Sequence, residues 1–298
     1  MRVAITGARG RLGRVMRKSL EARGDEVVAL SRNADAEHLA LGEMQALIEK
    51  GNLDAIVHAA WSTVPSTAER APGMEWREDL PLLASILGML SRCAQSGERV
   101  PRLIFLSTCA VYGEPAEGGL PFDETSPVNP RGWYASGKTA AEGLIKRFDA
   151  LPTLVLRTTN PYGYTQADQC MQGVLPVMVR AAKAGHTFRL WGSGEAIKDY
   201  LDVSDFSSAV EAVLAGGQTG VFNVASGKSV ALNEVIRLVE NATGRTLRIE
   251  RHPAAGWDVQ HGRYSHAALT AATGWVPKVS FEAGVRNFAQ DSAHPHCT

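Results

Sequence analysis

The stretch MRVAITGARGRLG, residues 1–13, decides the fold. A short apolar strand, Val3-Ala4-Ile5, runs into a turn with glycines at 7, 10 and 13. A helix begins at the end of the turn and continues through Leu12, Val15, Met16 and Leu20. Strand, glycine-rich turn and helix N-terminus together make a site for a diphosphate. The helix start supplies unpaired N–H groups and the positive end of its dipole. The glycines let the backbone come close to phosphates and let helix and strand pack tightly. The spacing is G-x-x-G-x-x-G rather than G-x-G-x-x-G, and on its own it is an unspecific signal.

A second signal lies far away, at Tyr134-Ala-Ser-Gly-Lys138. It follows Pro121, Pro127 and Pro130 and opens an apolar stretch with helical spacing, Ala140, Ala141, Leu144 and Ile145. An i,i+4 pair on a helix puts both side chains on one face. An ammonium beside a phenol favours phenolate, whose pKa starts near ~10. A tyrosine tuned towards neutrality exchanges a proton with a sugar or alcohol hydroxyl. Moving it by ~3 units takes about 4 kcal/mol of preferential stabilisation, which one lysine plus a cationic cofactor ring can supply in a dry cleft. Just upstream, RLIFLSTCAVYG (102–113) reads as a buried parallel strand through Leu103 to Leu106. It ends in Ser107-Thr108, two hydroxyls at the carboxyl edge where open α/β sheets bind ligands.

With these pieces in order, the chain resembles the extended short-chain dehydrogenase/reductases of the NAD(P)-dependent nucleotide-sugar epimerase/dehydratase family. It is most similar to the UDP-glucose 4-epimerase-like branch. The matching motifs are Thr6-Gly7-x-x-Gly10-x-x-Gly13, Asp54-x-x-x-His58-Ala59-Ala60, Ser107-Thr108-x-x-Val111-Tyr112-Gly113 and Tyr134-x-x-x-Lys138. They continue with Arg157-x-x-Asn160-x-Tyr162-Gly163, Gly192-x-Gly194 followed by Asp199-Tyr200-x-x-Val203-x-Asp205, and Phe222-Asn223-Val224-Ala225-x-Gly227. Each is common alone; the whole set in the family's order is specific.

The resemblance implies an α/β fold, a Rossmann-type doubly wound parallel sheet with a smaller C-terminal substrate-binding domain. Residues 1–162 would form the dinucleotide-binding domain, with returning strands near 200–224, and 163–298 the substrate lid. Strand–helix alternation agrees. Strands are expected near 2–6, 26–30, 54–59, 102–107, 153–157, 200–203 and 220–224, and helices near 11–23, 42–50, 76–97, 133–149, 171–184, 205–215 and 232–243. The segment between Ser31 and Asp54 is short, so its strand is expected to be reduced or missing. A polar tail from Ala289 is expected to fray.

Composition narrows the functional classes. Thirty-one basic residues balance 31 acidic ones, which gives no support for nucleic-acid binding. No apolar run reaches ~18 residues and no signal-peptide core precedes the first strand, so a cytoplasmic protein is expected, without membrane attachment. The cysteines at 93, 109, 170 and 297 lack C-x-x-C spacing, which argues against zinc and against a disulfide framework. Apart from His58, the histidines, at 38, 186, 252, 261, 266, 294 and 296, show no metal-ligand spacing.

The family resemblance implies transient hydride removal from a sugar carbon. Tyr134 would be the acid/base, Thr108 its hydroxyl partner, and Lys138 would hold the nicotinamide ribose. Dehydratases of the family carry Asp-Glu directly after the Ser-Thr pair; this chain has Cys109 and Ala110, neither of which can act as the carboxylic acid/base of an elimination. Dehydration and decarboxylation are therefore rejected. The related GDP-fucose synthases place a cysteine two residues before the tyrosine, whereas Cys109 stands three before Tyr112, which turns its sulfur to another face. What remains is 4-epimerisation, the leading reading, or an NADPH-dependent 4-ketoreductase. A non-catalytic dinucleotide sensor is a remote third, since such proteins lose the Tyr or Lys that this chain keeps.

The cofactor residues implied are Gly7, Arg9, Gly10, Arg11, Leu12 and Gly13 in the turn, Ser31 and Arg32 after the second strand, and Ala59, Ala60, Ser107, Tyr134 and Lys138. NAD-binding relatives carry an acid at the end of the second strand, but Ala29-Leu30-Ser31-Arg32-Asn33 has none. Arg9 and Arg32 can instead pair with a 2′-phosphate, which tilts the expectation to NADP over NAD; Arg32 as a solvated loop residue is the alternative. For a nucleotide-sugar substrate the resemblance implies contacts from Trp61, Thr108, Asn160, Lys198, Arg251 and Asp258. Lys198 keeps the charge of the family's arginine but not its fork. Trp61 also reads as packing, and His58 as a structural or cofactor-lining residue. Leu80, Leu83, Leu87 and Leu90 stripe the helix near 76–97, and in this family such helices pair into a homodimer bundle.

Overall fold

A computed structural model describes residues 1–115, 121–164 and 173–290. The expected helix start at 171–172, Cys170, His294, His296, Cys297 and the rest of the tail beyond 290 lie outside the described residues. The strands are β1 (Arg2–Thr6), β2 (Glu26–Ser31), β3 (Leu39–Ala40), β4 (Ala55–His58), β5 (Arg102–Thr108) and β6 (Thr153–Thr158). They continue as β7 (Asn160–Tyr162), β8 (Thr187–Trp191), β9 (Ile197–Asp202), β10 (Gly220–Val224), β11 (Ser229–Ala231) and β12 (Arg248–His252). The helices are α1 (Arg11–Arg23), α2 (Met44–Glu49), α3 (Pro65–Arg70), α4 (Leu80–Gln95) and α5 (Gly132–Lys146). They continue as α6 (Val174–Ala184), α7 (Val203–Ala215), α8 (Leu232–Thr243), α9 (Ala267–Thr273) and α10 (Phe281–Gln290).

Seven strands pair in the order β10-β6-β5-β4-β1-β2-β3, every pair parallel. Both faces are covered, which is why the strands read as unbroken apolar runs. On β5, Ile104 and Leu106 face one core with Val3, Ile5, Phe206 and Val210, while Leu103 and Phe105 face the other with Leu83, Leu87 and Ile145. β3 is two residues long, the reduced strand expected from the short Ser31–Asp54 segment.

Two expectations fail here. Of the strands near 200 and 220, β10 joins the main sheet beside β6, but β9 does not; it pairs with β7 and β11 in a separate three-stranded sheet. The stripe Leu83, Leu87, Leu90 is buried in the chain's own core against β4 and β5, so these leucines present no face to a partner. Periodicity shows that a helix has an apolar side and does not show what covers it.

The C-terminal part builds a core of its own from α6, α8, α10 and Tyr200 of β9. A small aromatic cluster lies elsewhere: Tyr112 stacks on Phe122 at 4.9 Å between centroids, and Phe122 on Tyr264 at 5.9 Å. Several motif residues serve as scaffold. Asp199 is fully buried and accepts from the Ser226 amide and hydroxyl, both at 2.9 Å. Asp205 accepts from the Lys278 and Val279 amides at 2.9 and 2.8 Å.

Candidate active site

The turn between β1 and α1 is closed around its glycines. A Cβ on Gly7, whose φ is +69°, would stand 2.7 Å from the Ala60 backbone, and one on Gly13 would stand 2.2 Å from the Gly7 carbonyl oxygen. Helix α1 starts at Gly10 with no side-chain cap and no acid in its first turn. Its first amides therefore point out of the turn for an anion to satisfy. Ala59 and Ala60 at the end of β4 form the opposite wall, and Leu12 packs on the sheet core behind it. Arg11 lies over the Tyr164 ring, 5.3 Å from its centroid.

The end of β2 differs from the sequence expectation. Arg9 donates to the Asn33 carbonyl at 3.2 Å and forms an ion pair with Asp35. Ser31 donates its hydroxyl to the same Asn33 carbonyl. Arg32 is exposed. Asp35 is held near 2 by the His38 ring first, then by the Glu37 amide, with the Arg9 guanidinium adding to both.

A cleft opens along the carboxyl edge of β5 and β6. Thr108, Tyr134, Asn160, Lys198 and Asp258 all line it, as do Arg131 and Trp257. Thr108 and Thr158 are register partners on adjacent strands. Thr108 accepts from the Ala110 amide at 3.2 Å, which leaves its own proton to donate. Tyr134 is half-buried near the start of α5. Asn160 donates to the Asp199 carbonyl at 2.8 Å. Lys198 forms a 2.5 Å ion pair with Asp258 and also donates to the Val259 carbonyl, so the cation expected to meet a diphosphate already has a carboxylate partner.

Two residues expected to contact the substrate do not line the cleft. Arg251 does not line the cleft; it is exposed and donates to the Ser193 carbonyl at 2.6 Å. Trp61 does not line it either; it packs edge-on to Phe105 and caps the Lys138 ammonium, 3.7 Å from the ring centroid. Lys138 in turn donates to the Leu106 carbonyl at 2.7 Å, buried under α5. Burial lowers Lys138 to about 7, against the opposing pull of Asp79 and Glu142.

The expected acidification of Tyr134 by Lys138 is accordingly absent. Burial, then the Asp79 carboxylate, pushes the phenol up to about 12, and the cation that pulls it back is Arg11.

Sequence reasoning missed the acids around this pair. Glu75 and Asp79, one turn apart in a π-helical segment (75–79) before α4, are buried. Asp79 accepts from the Ser62 amide at 2.8 Å and hydroxyl at 2.7 Å, and Glu75 accepts from the Thr63 hydroxyl. They pin the loop that carries Trp61. Only their i,i+4 spacing ahead of an apolar run pointed to them. Glu142 had a clearer signal, since Tyr134, Lys138 and Glu142 fall at i, i+4 and i+8 on one face. Glu142 receives Arg157 through both carboxylate oxygens, at 2.6 to 3.1 Å, and the Ser107 hydroxyl at 2.5 Å. Ser107 thus faces α5 rather than the cleft.

His58 is fully buried, 2.8 Å from the Thr6 hydroxyl, and burial followed by the Lys138 charge lowers it to about 3. Cys109 lines the cleft, donates its thiol to the Arg157 carbonyl at 3.2 Å, and is pushed well up by burial.

Residues 3–225 match the family model described as the NAD dependent epimerase/dehydratase family. The chain belongs to that family. It is 31% identical over 246 residues, 80% of each chain, to a GDP-6-deoxy-D-mannose reductase of Pseudomonas aeruginosa. It is 28% identical over 313 residues, 96% of each chain, to a UDP-glucose 4-epimerase of Mycolicibacterium smegmatis. Among solved structures it superposes on a Thermus thermophilus UDP-glucose 4-epimerase in complex with NAD with a TM-score of 0.84 and 27% identity, covering 97% of this chain and 98% of the other.

This family member is therefore an NAD(P)-dependent enzyme of the short-chain dehydrogenase type, acting within the nucleotide-sugar epimerase, dehydratase and reductase group. The uncapped α1 amides and the Cβ-free contacts of Gly7 and Gly13 fit a dinucleotide diphosphate. Among the described residues no helix is long and apolar enough to cross a membrane.

Proposed function

We propose that the enzyme is a nucleotide-sugar 4-epimerase that oxidises and re-reduces C4 of the sugar. One observation carries this reading. Thr108 and Tyr134 line one cleft, and Cys109 and Ala110, the residues that follow Thr108, include no carboxylate that could drive an elimination. When bound, an oxidised nicotinamide would supply the hydride acceptor and a positive charge. Thr108 orients the C4 hydroxyl, and the oxygen of ionised Tyr134 takes its proton. After the keto sugar turns over in the cleft, its other face would receive the hydride back at C4, and Tyr134 returns the proton to the C4 oxygen. Arg11 is the cation of this chain that favours the phenolate, and it leaves the phenol near 12 in the cofactor-free chain. The acidification must come largely from the cofactor's positive ring.

At the far end of the cleft, Asn160 and Lys198 are suited to the diphosphate, and Asp258 to the nucleotide ribose. Incubation of purified enzyme with UDP-hexoses and GDP-hexoses, without added cofactor, should give C4 epimers detectable by NMR. No exchange with any nucleotide hexose rejects the epimerase. The resemblance to the Pseudomonas reductase favours a second reading, NADPH-dependent reduction of a 4-keto nucleotide sugar. That reading requires stoichiometric consumption of the reduced cofactor, and enzyme isolated with tightly held NAD⁺ argues against it.

A homodimer through α4 and α5 also stays a proposal. Its contact surface would be the outer faces, where Pro81, Ala84, Ser85 and Arg92 of α4 and Gly143 and Lys146 of α5 are exposed. A light-scattering mass near one chain would refute it.

A further inference from the structure

In dinucleotide-binding βαβ units the adenosine ribose lies between the glycine-rich turn and the end of the second strand. A carboxylate there takes the 2′-hydroxyl, or an arginine takes a 2′-phosphate. This chain has no acid at the end of β2, and Arg9 stands in the turn as a ready phosphate ligand. Four residues beyond β2, however, Asp35 reaches back across the gap and pairs with Arg9.

We infer that Asp35 selects the cofactor: by occupying Arg9 at the ribose end of the site, it disfavours a dinucleotide carrying a 2′-phosphate. The inference rests on the dinucleotide site alone and not on the sugar chemistry proposed above.

The ion pair itself is exposed on both sides, 46% for Arg9 and 43% for Asp35, so its own strength is small. What gives it effect is that the carboxylate has nowhere to go. Its Oδ1 accepts from the Glu37 amide at 2.9 Å and lies 2.8 Å from His38 Nδ1, while the Asp35 amide donates to the His38 carbonyl at 2.9 Å. Arg9 is held in its turn by the Asn33 carbonyl. A 2′-phosphate arriving at Arg9 would share one guanidinium with a fixed carboxylate and meet like-charge repulsion. Two turns into α1, Arg17 is committed in the same way, pairing with Glu37 at 3.2 Å and with Glu21 at 2.8 Å. A ribose 2′-hydroxyl carries no charge and can donate to the same carboxylate. Arg32 is the exposed cation at this corner with no hydrogen bond or ion pair among the described residues, so it marks the competing outcome.

The test is binding, measured without sugar substrate, so that its result is independent of the epimerase reading. The full-length chain, Asp35→Asn and the double variant Arg9→Ala/Asp35→Asn are titrated by calorimetry with 5′-AMP and with adenosine 2′,5′-bisphosphate, and by fluorescence with NADH and NADPH. The wild type should bind NADH more tightly than NADPH. Asp35→Asn should shift both affinity ratios towards the 2′-phosphorylated ligand by about fivefold, the scale of one exposed charge pair. The double variant should lose that gain, because Arg9 is then missing. A wild type that prefers NADPH overturns the inference, as do ratios that Asp35→Asn leaves unchanged.

Discussion

Tyr134 carries the proposed chemistry, and Lys138, one turn further along α5, carries a cost in stability. Replacing Tyr134 by Phe should lower turnover by about 10²- to 10⁴-fold, the usual scale for a lost general acid/base, with little effect on folding. Wild-type turnover in the variant would reject the catalytic role. Lys138 carries a pH signature as well. Its folded pKa, about 7, lies below its ordinary 10.5. Between those values the unfolded chain binds a proton that the folded chain does not, so stability rises with pH across that window. Below it, the buried ammonium opposes folding in full. Lys138→Met should therefore stabilise the cofactor-free protein near pH 6, by roughly 1–2 kcal/mol after the lost Leu106 hydrogen bond is subtracted. The gain should fade above pH 10. Thermal melts at pH 6, 8 and 10 check this, and a variant less stable than wild type at pH 6 refutes it.

Helix α5 and strand β6 are joined by one buried ion pair, and that pair gives the element scale its prediction. Arg157 and Glu142 are 8% and 10% exposed, and Tyr112 completes the network by accepting from Arg157 at 2.9 Å. Glu142→Ala leaves a guanidinium buried without its carboxylate and should cost about 3–5 kcal/mol in urea unfolding. A loss under about 1 kcal/mol would mean that the pair does not tie the helix to the sheet. The pair also shows what the sequence made legible. The i, i+4, i+8 stripe of α5 was there to read, but which partner each member meets depends on strand order. Sheet strands β1, β2, β4, β5, β6 and β10 were legible because burial on both faces leaves an unbroken apolar run. The short strands β7, β11 and β12 were not, since their partners lie far along the chain and β12 is mostly exposed. In the site, Thr108, Tyr134 and Asn160 were placed by motif spacing. Asp35, Glu75, Asp79 and Trp61's hold on Lys138 escaped it, because they come from loop paths and a π-helical turn that no period encodes.

At the scale of the whole molecule, the chain crosses repeatedly between the main sheet and the C-terminal core. It leaves the sheet after β6 for α6 and β8, then returns through α7 and β10. It leaves again for α8 and β12, and Leu269 of α9 and Trp275 come back into the main core before α10 departs once more. Asn223 of β10 sits among these crossings, fully buried. It accepts from the Tyr112 hydroxyl at 2.8 Å and donates to the Ser265 carbonyl at 3.2 Å, while its amide donates to Glu124 at 2.7 Å. Neither core can open without breaking strands or contacts of the other. The protein should therefore unfold in one calorimetric transition, with calorimetric and van 't Hoff enthalpies in agreement, although chains of this length more often pass through intermediates. Asn223→Ala should leave several buried polar groups unpaired at a cost of about 2–3 kcal/mol, moving that single transition down by roughly 2–4 °C per kcal/mol. Two resolved peaks in the wild type would show that the crossings do not couple the cores. A variant in which only part of the transition moves would show that Asn223 serves one side alone.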